Sequence, residues 1–185
     1  MSYPDYRFFV EGDEEVFLNQ FVKNSFGNIS FDTVNVGGWT KIPLVKNQFE
    51  EITDNGGQNI VVFDADNDVE KRRDEINKLL ERHKLKAEIF LFPDDENIGD
   101  FEKLLEQLAV QDHLVLFDCF DSYQKCLEAA KMNYQIPNQK TKIYSYLESL
   151  SENPKPKERN YLSEYWDLEC DALKPLKAFI TNIIN

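Results

Sequence analysis

Positive charge is scarce in this chain of 185 residues. Lys and Arg number 21 against 34 Asp and Glu, giving a formal charge of −13 and a pI near 4.6. A field of that sign repels phosphate backbones and excludes tight nucleic-acid binding by bulk electrostatics, so any such contact needs a local basic patch or a bound metal. Cysteine is sparse too. Cys119, Cys126 and Cys170 are widely spaced, without a Cys-x-x-Cys pair, and His83 and His113 lie far apart, so no zinc ligand set forms. Three such thiols read as reduced side chains of a cytoplasmic protein. No hydrophobic run nears the ~20 residues of a membrane span. The stretch through Glu15 lacks the basic start and apolar run of a secretory signal, so no membrane contact is expected. Internal repeats, low-complexity tracts and a Gly-x-x-x-x-Gly-Lys-Ser/Thr loop are all missing.

What is present is enough for a core. Hydrophobic residues make up 42%, with 14 Phe and 8 Tyr, so wholesale disorder is excluded and much of the interior should be aromatic. The length suits one compact domain with a short appendage. Residues 7–10, 29–36, 60–63 and 88–92 read as strands, and Ile60 to Phe63, continuously apolar, as a central parallel strand. Helical spacing follows Asp13, a candidate cap, then recurs from about Ile42 (Leu44, Val45, Phe49), over Val69–His83 and over Asp100–Leu108. This alternation predicts an α/β fold, a mainly parallel four-stranded sheet flanked by helices, over residues 1–110. Residues 111–185 read as a mostly helical extension packed on that core. In it, His113 to Phe117 suits strand or helix equally, Ser122–Asn133, Thr141–Leu150 and Leu173–Ile184 suit helix, and Asn153 to Lys157 is a polar, proline-bearing break.

In an open parallel sheet the strand carboxyl ends share one edge, where ligands bind. Glu11 follows the first strand, Asp64, Asp66 and Asp68 the third, and Asp94, Asp95 and Glu96 the fourth. Carboxylates gathered there resist ionisation unless a cation sits among them, and hard oxygen ligands suit Mg2+ or Mn2+. A calcium loop beginning at Asp64 is disfavoured: Glu75 falls at its twelfth position, but Val69 stands where the sharp turn needs glycine. The Asp-x-Asp of haloacid-dehalogenase phosphatases, with Asp64 as nucleophile, remains a reading. That motif ordinarily follows the first core strand, and here it follows the third.

Val10-Glu11-Gly12-Asp13, Val36-Gly37-Gly38 and Phe63-Asp64-Ala65-Asp66, each at a strand end, together resemble the toprim domain of topoisomerases, bacterial primases and OLD-family nucleases. Phe92 to Glu102, with its Gly-x-x-Glu at a helix start, Tyr165-Trp166-Asp167-Leu168 and Leu173-Lys174-Pro175-Leu176 resemble a small toprim-like branch related to the OLD nucleases. The resemblance implies a toprim-like (Rossmann-like) fold. Glu11 would be a general acid or base and metal ligand, Asp64 and Asp66 a Mg2+ or Mn2+ pair, and Asp68 a further metal ligand of the extended acidic pattern. Gly12, Gly37 and Gly38 would admit close backbone approach, the last two near a phosphate, with Lys41 beside them. Glu102 is a further carboxylate of the same region, equally explained by a favourable helix-end charge.

No topoisomerase tyrosine domain or primase zinc module accompanies these residues, which leaves metal-dependent hydrolysis or transfer at a nucleic-acid phosphodiester, in defence or DNA repair. The alternatives are a noncatalytic module binding a metal, nucleotide or protein partner, and a small-molecule phosphatase. Basic stretches are thin. Lys71-Arg72-Arg73 opens the helix beyond Asp66 and can reach a phosphate, but interleaved acids make it, like Arg82-His83-Lys84 with Lys86, read as a solvated helix face. Lys140 and Lys142 form a second basic spot, and Trp39 and Trp166 read as packing residues.

Overall fold

Alternating side chains decide how the sheet is buried. Strands β1 (Tyr6–Val10), β2 (Phe31–Asn35), β3 (Gln58–Asp64) and β4 (Glu88–Phe92) pair in parallel in the order β2-β1-β3-β4. The structure, a computed structural model, describes residues 3–152 and 155–185. Phe8, Val10, Ile60, Val62, Phe90 and Phe92 point into one layer, and Phe9, Val61, Phe63, Ile89 and Leu91 into the other. Because β1 and β3 are central and covered on both faces, their runs are continuously apolar.

The helices are α1 (Glu14–Phe26), α2 (Lys46–Asp54), α3 (Val69–His83), α4 (Phe101–Leu108), α5 (Leu114–Ala129), α6 (Gln139–Ser149) and α7 (Lys174–Ile184). Phe49 and Ile52 of α2 and Ile76 and Leu80 of α3 close the second layer, where Phe9 stacks on Phe49 with ring centroids 3.6 Å apart. The first layer takes Phe17 and Phe21 of α1 and Leu104 and Leu108 of α4. It continues without a break into Phe117, Ile143, Tyr146, Leu176 and Ile180 of the later helices. Burial on this scale contributes about 1.5–3 kcal/mol for each large apolar side chain. Lys142, almost fully buried, ties α6 to its neighbours through Glu106 at 2.7 Å and Asp121 at 2.6 Å. The extension and the sheet therefore share one core. Among the described residues, no helix is long and apolar enough to cross a membrane.

Several local expectations meet competing forces. His113 to Phe117 is helical: a 3-10 turn at Gln111–His113 runs into α5, and the sheet ends at β4. α5 stops at Ala129, short of Asn133. The helix expected from Ile42 is divided into a 3-10 segment, Trp39–Val45, and α2. Pro43 lies inside the first, and Leu44 points outward at 81% exposure. Asp13 takes the cap position of α1 without a capping hydrogen bond, because its carboxylate is engaged by Lys140. Within the polar break, Asn153 and Pro154 lie outside the described residues, while Pro156–Glu158 forms a 3-10 turn.

Candidate acidic site at the sheet switch point

The strand order creates the crevice. From β1 the chain steps outward to β2, then returns to place β3 on the opposite side of β1. Helices α1 and α2 consequently cover opposite faces, and a gap opens beyond the carboxyl ends of β1 and β3. Glu11 and Asp64 occupy that gap. The Asp64 N–H donates to Glu11 Oε2 at 3.4 Å, so Glu11, at the end of β1, reaches across to the end of β3, and the Trp39 backbone in the segment after β2 also favours its charged form. Asp64 Oδ1 accepts the Phe101 N–H at 2.9 Å, at the first turn of α4, where the helix end favours negative charge.

Around them lies a cleft of about 380 Å³, bounded by the starts of α1, α4 and α6 and lined by Glu11, Gly12, Glu14, Asp64, Glu102 and Lys140. Its carboxyls are hard to ionise together. Burial, and then repulsion by Glu14, Glu11 and Glu102, pushes Asp64 up to about 9. Burial likewise pushes Glu14 up to about 7, although it accepts the Gly12 N–H at 2.6 Å. Glu102 is raised by burial and by Asp100. Glu11 is raised by burial, against which the N–H groups of Asp64 and Trp39 and the charge of Arg72 act. The cleft's one lysine, Lys140, is spent on Asp13.

The remaining sequence-predicted residues sort differently. Asp66, held at φ 54 by two backbone hydrogen bonds with Gly99, turns its carboxylate to Arg72 Nη2 at 2.5 Å, toward a neighbouring hollow. Asp68 caps α3 by accepting the Lys71 N–H at 3.0 Å. Gly37 and Gly38, at φ 73 and 125, make the turn after β2. A Cβ on Gly38 would come within 4.0 Å of Glu11 Oε1, and one on Gly37 within 3.2 Å of Lys41 Nζ. Lys41 therefore stands beside the double glycine.

Asp94 and Asp95 build the loop after β4. Burial raises the Asp94 carboxyl, but the Asn97 side chain and the N–H groups of Asn97 and Glu96 outweigh it and leave it lowered. Asp95 binds Arg73 at 2.6 Å and the Leu91 N–H at 2.8 Å. Trp166 is core, and Trp39 packs partly on the second layer beneath Arg72. A larger cleft, about 490 Å³, lies at the opposite edge by the starts of β3 and β4. There the buried Asn59 pegs the Phe49 and Lys86 carbonyls, a structural task.

Glu14 was not among the expected site residues, yet its signal is in the sequence. It shares the helical face of Phe17, Leu18, Phe21 and Val22, all of them buried, so a glutamate there must point inward. Whether these side chains suit a divalent cation is answered by donor chemistry. All four acids offer hard oxygens, and their raised affinities for protons come first from burial, with mutual repulsion added at Asp64 and Glu14. Among the described residues no three His, Cys, Asp or Glu side chains form a group able to hold a metal on their own. Mg2+ ordinarily takes only one or two carboxylates with waters and substrate oxygens, and Glu11 with Asp64 supplies that number.

Residues 5–185 match the family described as Protein of unknown function (DUF3226), and the chain belongs to it. No curated protein and no solved structure matched the chain.

Proposed function

We propose that this chain is a toprim-type enzyme, dependent on Mg2+ or Mn2+, that hydrolyses or transfers a phosphodiester of a nucleic acid. The observation that carries the reading is the meeting of Glu11 and Asp64 across the switch point, in a cleft where acids outnumber the one lysine of its lining. Glu11 and Asp64 are the residues that would hold the cation. When bound, the ion supplies charge neutralisation at the phosphodiester and a more acidic water. The Phe101 N–H fixes Asp64 so that one carboxylate oxygen remains for a ligand. Glu11, its carboxyl raised by burial, is the group suited to take up and return a proton. Gly38 keeps the space beside Glu11 free of a side chain, and Lys41 beside Gly37 is a candidate for a phosphate oxygen.

The test is incubation of the purified protein with single-stranded and duplex DNA and RNA, with Mg2+ or Mn2+, beside Asp64→Ala. Cleavage that disappears in the variant supports the reading, whereas equal cleavage by both proteins assigns it to a contaminant or another site. A specific observation favours a second reading, a noncatalytic module of the same fold that binds a metal, nucleotide or protein partner: Asp66 is already engaged by Arg72. Metal binding without cleavage of any of these substrates would select that reading.

A further inference from the structure

The two edges of the sheet differ. On β4 the outward backbone groups are already taken: the Leu91 N–H donates to Asp95 Oδ1 at 2.8 Å, the Leu91 carbonyl accepts the Asp95 N–H at 2.7 Å, and the Ile89 carbonyl accepts Arg73 Nη1 at 3.0 Å. Pro93 follows, with no N–H to offer. β2 is not covered in this way. The Tyr6 N–H donates to the Ser30 carbonyl and the Val36 N–H to the Val10 carbonyl, so in the parallel ladder Asp32 and Val34 turn their backbone groups to β1. Phe31, Thr33 and Asn35 therefore turn theirs outward, and among the described residues nothing pairs with them. An unpaired edge is a template for another strand, and natural sheets blunt it with proline, lysine, bulges or a covering segment. β2 contains neither proline nor lysine, and its single charge, Asp32, is neutralised by Arg7 through two bonds of 2.7 Å.

We propose that β2 pairs with β2 of a second copy of this chain, antiparallel about a two-fold axis at Thr33, so that two four-stranded sheets become one. The edge is complementary to itself. With Thr33 opposite its own equivalent, Phe31 faces Asn35 of the second copy and Asp32 faces Val34 of the second copy, so no like charges stand directly opposed. Each outward N–H meets an outward carbonyl, giving up to about six backbone hydrogen bonds. Thr33 suits the axis: its hydroxyl oxygen accepts Asn19 Nδ2 at 2.9 Å, while its own hydrogen has no acceptor among the described residues and can serve the equivalent hydroxyl. The same patch is used on both copies, and the covered β4 edges stop the sheet from growing further, so association closes at two. The inference is independent of the metal-dependent reading.

A single five-residue edge makes a small interface, so association should be weak, half complete on the order of 100 μM. Sedimentation velocity across two decades of concentration around that value measures it, and added salt should strengthen it, since each copy carries a charge of −13. The pairing has a signature that other dimers lack. In residue-resolved hydrogen exchange the Phe31, Thr33 and Asn35 amides should gain protection several-fold with concentration, whereas those of Asp32 and Val34, held by β1 in either state, should not change. Thr33→Pro removes an N–H that the β1 ladder does not use, so the far-ultraviolet circular dichroism should persist while the dimer is lost. Thr33→Lys sets like charges face to face at the axis and should weaken the dimer about tenfold or more. A wild-type protein that stays monomeric throughout overturns the proposal; if a synthetic peptide of the β2 sequence then protects the same three amides, the edge takes a strand of a different protein. A dimer whose Phe31, Thr33 and Asn35 amides exchange as in the monomer, or one left unchanged by Thr33→Lys, overturns it as well.

Discussion

Replacing Asp64 by Asn should stabilise the metal-free protein, although Asp64 is the residue on which the proposed activity most depends. The folded chain holds the Asp64 carboxyl near 9, against an ordinary value of 3.8. A group raised on folding contributes its full stability below the ordinary value and loses it as pH climbs toward the folded value. At pH 7 the folded protein must keep a proton that the unfolded chain has released. With each pH unit worth about 1.4 kcal/mol, that sets a ceiling of roughly 4 kcal/mol. The cleft is open to water, which relieves part of this, so the expected gain is about 1–3 kcal/mol, or roughly 3–10 °C in Tm for a chain of this size. Asn retains the acceptor for the Phe101 N–H, so no hydrogen bond is lost with the charge. The assay is thermal unfolding with EDTA at several pH values. The gain should vanish near pH 4 and grow toward pH 9, with Glu14 adding a similar slope in both proteins between its ordinary value and about 7. Added Mg2+ should raise the wild-type Tm and narrow the gap. A natively folded Asn variant that melts at or below the wild-type temperature at pH 7 would refute the reasoning.

Two further substitutions test the scaffold. Phe49→Ala removes the ring stacked on Phe9 and should cost about 3–5 kcal/mol in chemical denaturation; a loss below about 1 kcal/mol would mean the second layer collapses freely around the gap. Lys142→Ala leaves Glu106 and Asp121 without their shared partner. Because both acids retain some exposure, the loss should be about 2–3 kcal/mol, below that of a fully buried pair. If α6 were only loosely docked, urea unfolding would show almost no shift in midpoint.

The legible part of this protein was local. The amphipathic run carrying Ile76, Leu79 and Leu80 set α3 at Val69–His83, because helical spacing acts between near neighbours, whereas the capping task of Asp68, read as an acid of the site, emerged only in the structure. Residues Glu88 to Phe92 likewise formed the expected strand. Where expectation and structure part, a non-local partner intervened. His113 to Phe117 carries no decisive period, and it became helix because its Phe117 ring stacks on Tyr146 of α6. Asp13 is a good cap by residue type, but Lys140, far along the chain, claims its carboxylate.

The sequence by itself determined that acids stand at strand ends and that the fold alternates strand and helix, since turn chemistry and hydrophobic period depend only on near neighbours. Tertiary structure alone decided which acids meet. Placing β1 against β3 brings together Glu11 and Asp64, 53 positions apart, while the inward faces of α1 and α4 add Glu14 and Glu102. The same packing turned Asp66 away to Arg72. Strand order is set by the burial of two distant apolar surfaces against each other, a quantity that no short window of residues contains.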